Sequence, residues 1–164
     1  MQPAKVDVPK SRQHLGWDAY TKVIESCDVV LLATPPQFRP LHIETAVEAK
    51  KHVFAEKPVA VDSPGVRRVL ASAARAKAQG TFVVSGLCWR YETGMQEVMK
   101  RLHDGQIGDL QALETTRHGR GVAKLAKRQP GWRDMEYQMR NWYYYTWLSG
   151  DFIVEMFVHE LDKM

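Results

Sequence analysis

The chain has 164 residues, 45% hydrophobic and 26% charged, which is enough to bury a core and to form one globular domain with part of another. No apolar run approaches the ~20 residues that span a bilayer, and two cysteines, Cys27 and Cys88, make neither a disulfide framework nor a metal cluster, so neither membrane nor metal is expected. The net charge of +4 is mild, and its one basic run (Arg117, Arg120, Lys124, Lys127, Arg128) lacks the stacking aromatics of a nucleic-acid module, which excludes nucleic acid as the expected partner.

That run reads first as a solvated loop and second as a site for anionic substrate or phosphate groups. The opening stretch MQPAKVDVPKSRQ has no apolar signal core. A cytoplasmic location is expected, with export of a full-length parent left open.

Short apolar runs then alternate with amphipathic stretches. Residues 17–26 read as a helix. Residues 28–34 (DVVLLAT) form a continuous β-branched and leucine run, ended by Pro35 and Pro36, as in a strand buried on both faces of a parallel sheet. Residues 39–50 turn helical, with Leu41, Ala46 and Ala49 opposite Glu44 and Glu48. A second strand is expected at 52–55 (HVFA). Asp62 and Ser63 are capping residues ahead of Pro64, which suits the first turn of a helix running to about residue 78. A third strand is expected at 81–85 (TFVVS), and a further helix at 92–103 with Met95, Val98, Met99 and Leu102 on one face.

This order predicts an α/β fold, a partial Rossmann-type doubly wound parallel sheet over residues 1–106. Residues 107–164 read as the start of an α+β substrate domain. Residues 109–116 (DLQALETT) alternate like a half-exposed antiparallel strand, residues 119–131 form a glycine-bounded loop, residues 133–148 are dense in aromatics, and the chain ends on a helix.

Open parallel sheets bind ligands at the carboxyl ends of their strands. Pro35 and Pro36 follow the first strand, Glu56-Lys57-Pro58 the second, and Gly86 to Tyr91, including Trp89 and Arg90, the third. An isolated Glu-Lys pair is usually a surface ion pair. Placement at a strand end, before a proline that fixes the turn, is what singles out Lys57. Near the end, Glu155 and His159 are four apart and share a helical face, with Asp162 three further on. Carboxylates around an imidazole can orient it for proton transfer.

Taken in order, the segments 28–36 (DVVLLATPP), 51–58 (KHVFAEKP), Trp89-Arg90-Tyr91, Ser149-Gly150-Asp151 and 155–162 resemble the Gfo/Idh/MocA oxidoreductases. The resemblance implies NAD or NADP as cofactor and a sugar, inositol or related polyol as substrate. It implies that Lys57 lies beside the nicotinamide and the substrate hydroxyl, and that His159 accepts the hydroxyl proton. Glu155 stands where the family usually has Asp. Thr34, Pro35, Pro36, His42, Glu56, Lys57, Pro58, Trp89 and Arg90 would line the cofactor crevice, although His42 equally suits capping its own helix. The family's first strand and its GxGxxG turn have no counterpart in this sequence and are expected upstream of residue 1; its large second sheet is expected beyond the end. The parent protein is therefore expected to be an oxidoreductase and a homo-oligomer. The alternative is that these residues alone form a non-catalytic piece, or a degenerate paralogue, that acts through binding or assembly.

Overall fold

Three parallel strands organise the molecule, in the order β1-β2-β3: β1 (Val29–Leu32), β2 (His52–Ala55) and β3 (Val83–Ser85). The structure is a computed structural model that describes residues 7–119 and 125–164. Arg120 and Lys124 of the basic run, and the middle of the 119–131 loop, lie outside the described residues. Leu32 sits beside Ala55, and Ala55 beside Ser85. The segments that follow the three strands therefore emerge side by side at one edge of the sheet.

Helix α1 (Ala19–Glu25) leads into β1, α2 (Arg39–Glu48) connects β1 to β2, and α3 (Ser63–Gln79) connects β2 to β3. The sequence signals for α3 act as expected. The Asp62 carboxylate accepts the Gly65 amide at 2.7 Å, Pro64 occupies the first turn, and the helix stops at Gly80. The cap satisfies one of the orphan amides of that first turn, a contribution of about 1 kcal/mol. The core gathers Ile24, Val30, Leu32, Ile43, Val47, Val53 and Val69 between the sheet and these helices.

Two expectations are corrected. The run at 28–34 is not buried on both faces: Val30 and Leu32 are buried, whereas Val29 and Leu31 are 55% and 74% exposed. Strand side chains alternate between faces, and α2 and α3 cover only the face to which Val30 and Leu32 point. The sheet is parallel, but its second layer of helices is not seen among the described residues. Residues 109–116 form no strand. A strand needs a partner for its ladder, and no described segment runs alongside this one.

Helix α4 (Thr93–His103) carries the expected apolar face and is capped by Glu92, whose carboxylate accepts the Gly94 and Met95 amides; none of its residues is buried. The aromatic-rich stretch folds into α5 (Asp134–Arg140), a 3-10 turn at Trp142–Tyr144 and the short α6 (Thr146–Ser149). Leu148 and Ser149 of α6 are fully buried, and α6 packs on the turn Pro36–Phe38 that follows β1. The chain reverses at Gly150 and Asp151, both left-handed at φ 80° and 70°. A Cβ on Gly150 would lie 2.7 Å from Val154 Cγ1, so the reversal needs glycine for space as well as for conformation. The last segment is a π-helical turn, Ile153–Phe157, running into α7 (Val158–Leu161). Among the described residues no helix is long and apolar enough to cross a membrane.

Candidate active site at the strand ends

The turn after β2 is held from beneath by a residue the sequence patterns gave no reason to select. Arg39, at the start of α2, is 4% exposed. Its Nη1 donates to the carbonyl oxygens of Glu56 (2.9 Å) and Pro58 (2.6 Å). Two bonds from one guanidinium bracket Lys57, whose peptide bond to Pro58 is cis, and fix the direction of its side chain. An arginine in the first turn of a surface helix reads as solvated; only its position just past a strand end hints at this role.

Lys57 points to the last segment of the chain. Its Nζ donates to Glu155 Oε1 at 2.8 Å and also to the Glu155 carbonyl. The two side chains are 15% and 9% exposed. Burial pushes the Glu155 carboxyl above its usual range, and Lys57 and then Arg39 pull against that shift. Glu155 Oε2 is buried without a hydrogen-bond partner among the described residues, as is Nδ1 of His159. His159 is held below its usual pKa by burial first and then by the charges of Lys57 and Arg117, with Glu160 opposing, so it is a neutral imidazole at neutral pH.

The expectation that Glu155, His159 and Asp162 act as one row is corrected. Glu155 bonds Lys57, and Asp162 bonds Arg90 through Nε (2.7 Å) and Nη2 (2.6 Å). Neither carboxylate bonds His159. A π-helical turn is wider than an α-turn, so the four-residue spacing no longer stacks His159 over Glu155.

The third strand end contributes Gly86, Trp89 and Arg90. A Cβ on Gly86 would meet Glu56 Oε2 at 2.8 Å and Glu56 Cα at 3.2 Å. The Gly86 amide also donates to the Ala55 carbonyl at 2.7 Å, so this backbone cannot retreat cheaply. Gly86→Ala is expected to lower stability by about 1–2 kcal/mol, read as a shift in the urea midpoint at unchanged slope; an unshifted midpoint contradicts the close approach. Trp89 lies under the Lys163 ammonium, 4.8 Å from its ring centroid. Together with Arg90, Met95, Met99, Asp162 and Lys163, it lines a cavity of about 350 Å³.

The first strand end divides. Pro35 lines a groove of about 750 Å³ along the free edge of β1, with Trp17, Tyr20, Leu31 and Phe38. Pro36 is buried. His42 also turns into the core, at 7% exposure: it stacks on Tyr20 with ring centroids 4.3 Å apart, and its Nδ1 lies 3.3 Å from Thr34 Oγ1. Burial lowers its pKa to about 4. Thr34 and His42 thus tie the loop after β1 to α2. Lys57 meets Glu155, whereas Trp89 and Arg90 meet Lys163 and Asp162 further along the same last segment.

Comparisons with known proteins bear on the fold and the family. A family model described as an oxidoreductase family with an NAD-binding Rossmann fold matches residues 2–84. Inositol 2-dehydrogenase of Rhizobium meliloti is 27% identical over 135 residues, 82% of this chain and 34% of the relative. A 1-carboxy-3-chloro-3,4-dihydroxycyclohexa-1,5-diene dehydrogenase of Comamonas testosteroni is 29% identical over 111 residues, 68% of this chain and 27% of the relative. The chain thus spans about a third or less of these relatives. The crystal structure of apo scyllo-inositol dehydrogenase from Lactobacillus casei superposes with a TM-score of 0.51 at 25% identity, covering 55% of this chain and 27% of that one. The parallel sheet, the proline turn after β2 and the family match over half of the sequence lead to one conclusion: this chain belongs to the Gfo/Idh/MocA family of oxidoreductases with an NAD-binding Rossmann fold.

Proposed function

We propose that the protein of which these residues form the strand-end site transfers hydride between NAD or NADP and a hydroxyl of a sugar, inositol or related polyol. One observation carries the reading: the Glu56-Lys57-Pro58 turn delivers a buried ammonium to the π-helical turn that leads to a neutral histidine, one of whose ring nitrogens has no partner among the described residues. The names of the relatives, among them inositol dehydrogenases, support the substrate class.

The residues present fit the nicotinamide end of such a cofactor. Glu155 Oε2 and His159 Nδ1 are buried polar atoms without hydrogen-bond partners among the described residues, and such atoms call for a polar ligand. Glu56 and Lys57 follow β2 and Trp89 follows β3, at the edge of the sheet where a nicotinamide would enter. The sequence contains no GxGxxG turn, and no residue here is assigned to the pyrophosphate.

When bound, the nicotinamide supplies the acceptor or donor of hydride. The chain's own residues handle orientation and the proton. The Lys57 ammonium, steadied by Glu155, donates a hydrogen bond to the reacting oxygen and stabilises negative charge that develops there. His159 takes the hydroxyl proton as the carbinol C–H bond breaks and the carbonyl forms, and returns it in the reverse direction. Glu155 Oε2 is left to accept a neighbouring substrate hydroxyl. Arg39 holds the turn that aims Lys57.

The test is incubation of the protein with NAD or NADP and myo-inositol, scyllo-inositol or D-glucose, with NADH binding followed by fluorescence transfer from tryptophan. The expected result is saturable NADH binding and polyol-dependent reduction of the nicotinamide. Binding without reduction by any polyol overturns the catalytic reading; absence of both supports the alternative of a non-catalytic piece.

A further inference from the structure

The charges around Lys57 and Arg90 balance within the protein. Lys57 pairs with Glu155, Arg90 pairs with Asp162, and Arg39 has Glu56 and Glu155 close enough to act on it. The balance fails one step further along the last helix. Glu160 is shared by two cations: its Oε1 accepts from Arg117 Nη1 and its Oε2 from Lys163 Nζ, each at 2.7 Å. One carboxylate facing two cations leaves this cluster with one excess positive charge among the described side chains.

That charge lies beside the proposed reaction centre. The fields of Arg117 and Lys163 both reach His159, and that of Arg117 also reaches Tyr143, which in turn feels Glu155. Arg117 reaches the last segment directly, through its bond to Glu160, the residue after His159. Three buried polar atoms on these residues have no hydrogen-bond partner among the described residues: Glu155 Oε2, His159 Nδ1 and Arg117 Nε.

The geometry of the arginine narrows the ligand. With Nη1 given to Glu160, the guanidinium keeps the edge formed by Nε and Nη2. Two parallel N–H groups on one edge match the two oxygens of a carboxylate. Lys163 is held by Glu160 and by the face of Trp89, so it adds charge from a fixed place. The other two orphans, a carboxylate oxygen and an imidazole nitrogen, suit hydroxyl groups. A single excess charge matches a monoanion better than a phosphate dianion.

We propose that the Arg117–Glu160–Lys163 cluster next to His159 forms an anion subsite built on the Nε edge of Arg117, and that its ligand is a sugar or polyol bearing a carboxylate, such as a uronic acid. The assignment rests on the hydride-transfer reading for the location of the hydroxyl subsite. It gives Arg117, the first residue of the basic run, a role separate from the rest of that run.

Isothermal titration of the protein with D-glucuronate against D-glucose, and with D-galacturonate against D-galactose, tests it. The expected result is at least about tenfold tighter binding of the acid in one of the pairs. That ratio falls towards one in Arg117→Gln and is only partly kept in Arg117→Lys, which retains the charge and loses the two-pronged edge. The wild-type ratio needs no variant and stands even if Arg117→Gln fails to fold. A ratio near one, a ratio that Arg117→Gln leaves unaltered, or tighter binding of glucose 6-phosphate than of glucuronate overturns the subsite. Those outcomes leave hydride transfer to its own test, polyol-dependent nicotinamide reduction. Failure of every one of these sugars to bind overturns the subsite and counts against the polyol reading as well.

Discussion

Lys57→Met is expected to destabilise the protein by about 3 kcal/mol at neutral pH, because it leaves Glu155 as a buried, unpaired carboxylate. The volume of the side chain is nearly conserved, so the loss is electrostatic rather than a cavity effect. Burial already pushes the Glu155 carboxyl upward, with Lys57 as its main opponent. Without Lys57 that carboxyl rises further. A carboxyl whose folded pKa lies above its unfolded value contributes stability below the unfolded value and loses it as pH rises through the folded one. The deficit of Lys57→Met should therefore shrink as pH falls through the raised Glu155 range. Lys57→Met combined with Glu155→Gln should recover most of the loss, since no charge is left stranded. Urea unfolding of the two variants at neutral and acid pH gives the comparison. Equal stability of wild type and Lys57→Met at neutral pH contradicts a buried pair.

Acidification should weaken the fold through a second group, buried between α1 and α2. His42 is buried against Tyr20 and Phe38, and burial lowers its pKa to about 4. The unfolded imidazole takes up its proton near pH 6.5. Between those values the unfolded chain binds the proton and the folded one does not. Stability from this group is complete above about pH 6.5 and lost as pH falls towards 4, a loss of about 3 kcal/mol. His42→Gln should be less stable than wild type at pH 7, through lost stacking, and should lack this part of the acid slope. Parallel slopes for the two proteins between pH 6.5 and 4 contradict a neutral buried imidazole.

The comparison of His42 with Lys57 shows what sequence can and cannot reveal about this site. Both follow a strand, Lys57 directly and His42 one turn and a helix start later, and both resemble family motif positions. Pro58 after Lys57 forces a turn at the sheet edge, whereas His42 sits within α2, where helical phase decides its direction, and that phase points into the core. The strands, their parallel order and the capped α3 were legible because period, proline and cap residues act locally. Arg39 was not, because bonds from its guanidinium to Glu56 and Pro58, 17 and 19 residues away, leave no local pattern. The row Glu155, His159, Asp162 was misread because spacing presumes an α-helix, and Ile153–Phe157 is a π-helical turn. Residues 109–116 have the alternation of a strand but, among the described residues, no neighbouring strand to pair with.

Whether Lys57 and His159 serve a hydride-transfer site can be read from isotope transfer. The protein is mixed with NAD or NADP and with myo-inositol deuterated at its carbinol carbons, and the reduced nicotinamide is analysed by mass. The expected result is one deuterium per reduced nicotinamide, at a rate reduced roughly 10²-fold or more in His159→Gln. Reduced nicotinamide without deuterium, or a His159→Gln rate equal to that of wild type, contradicts the site.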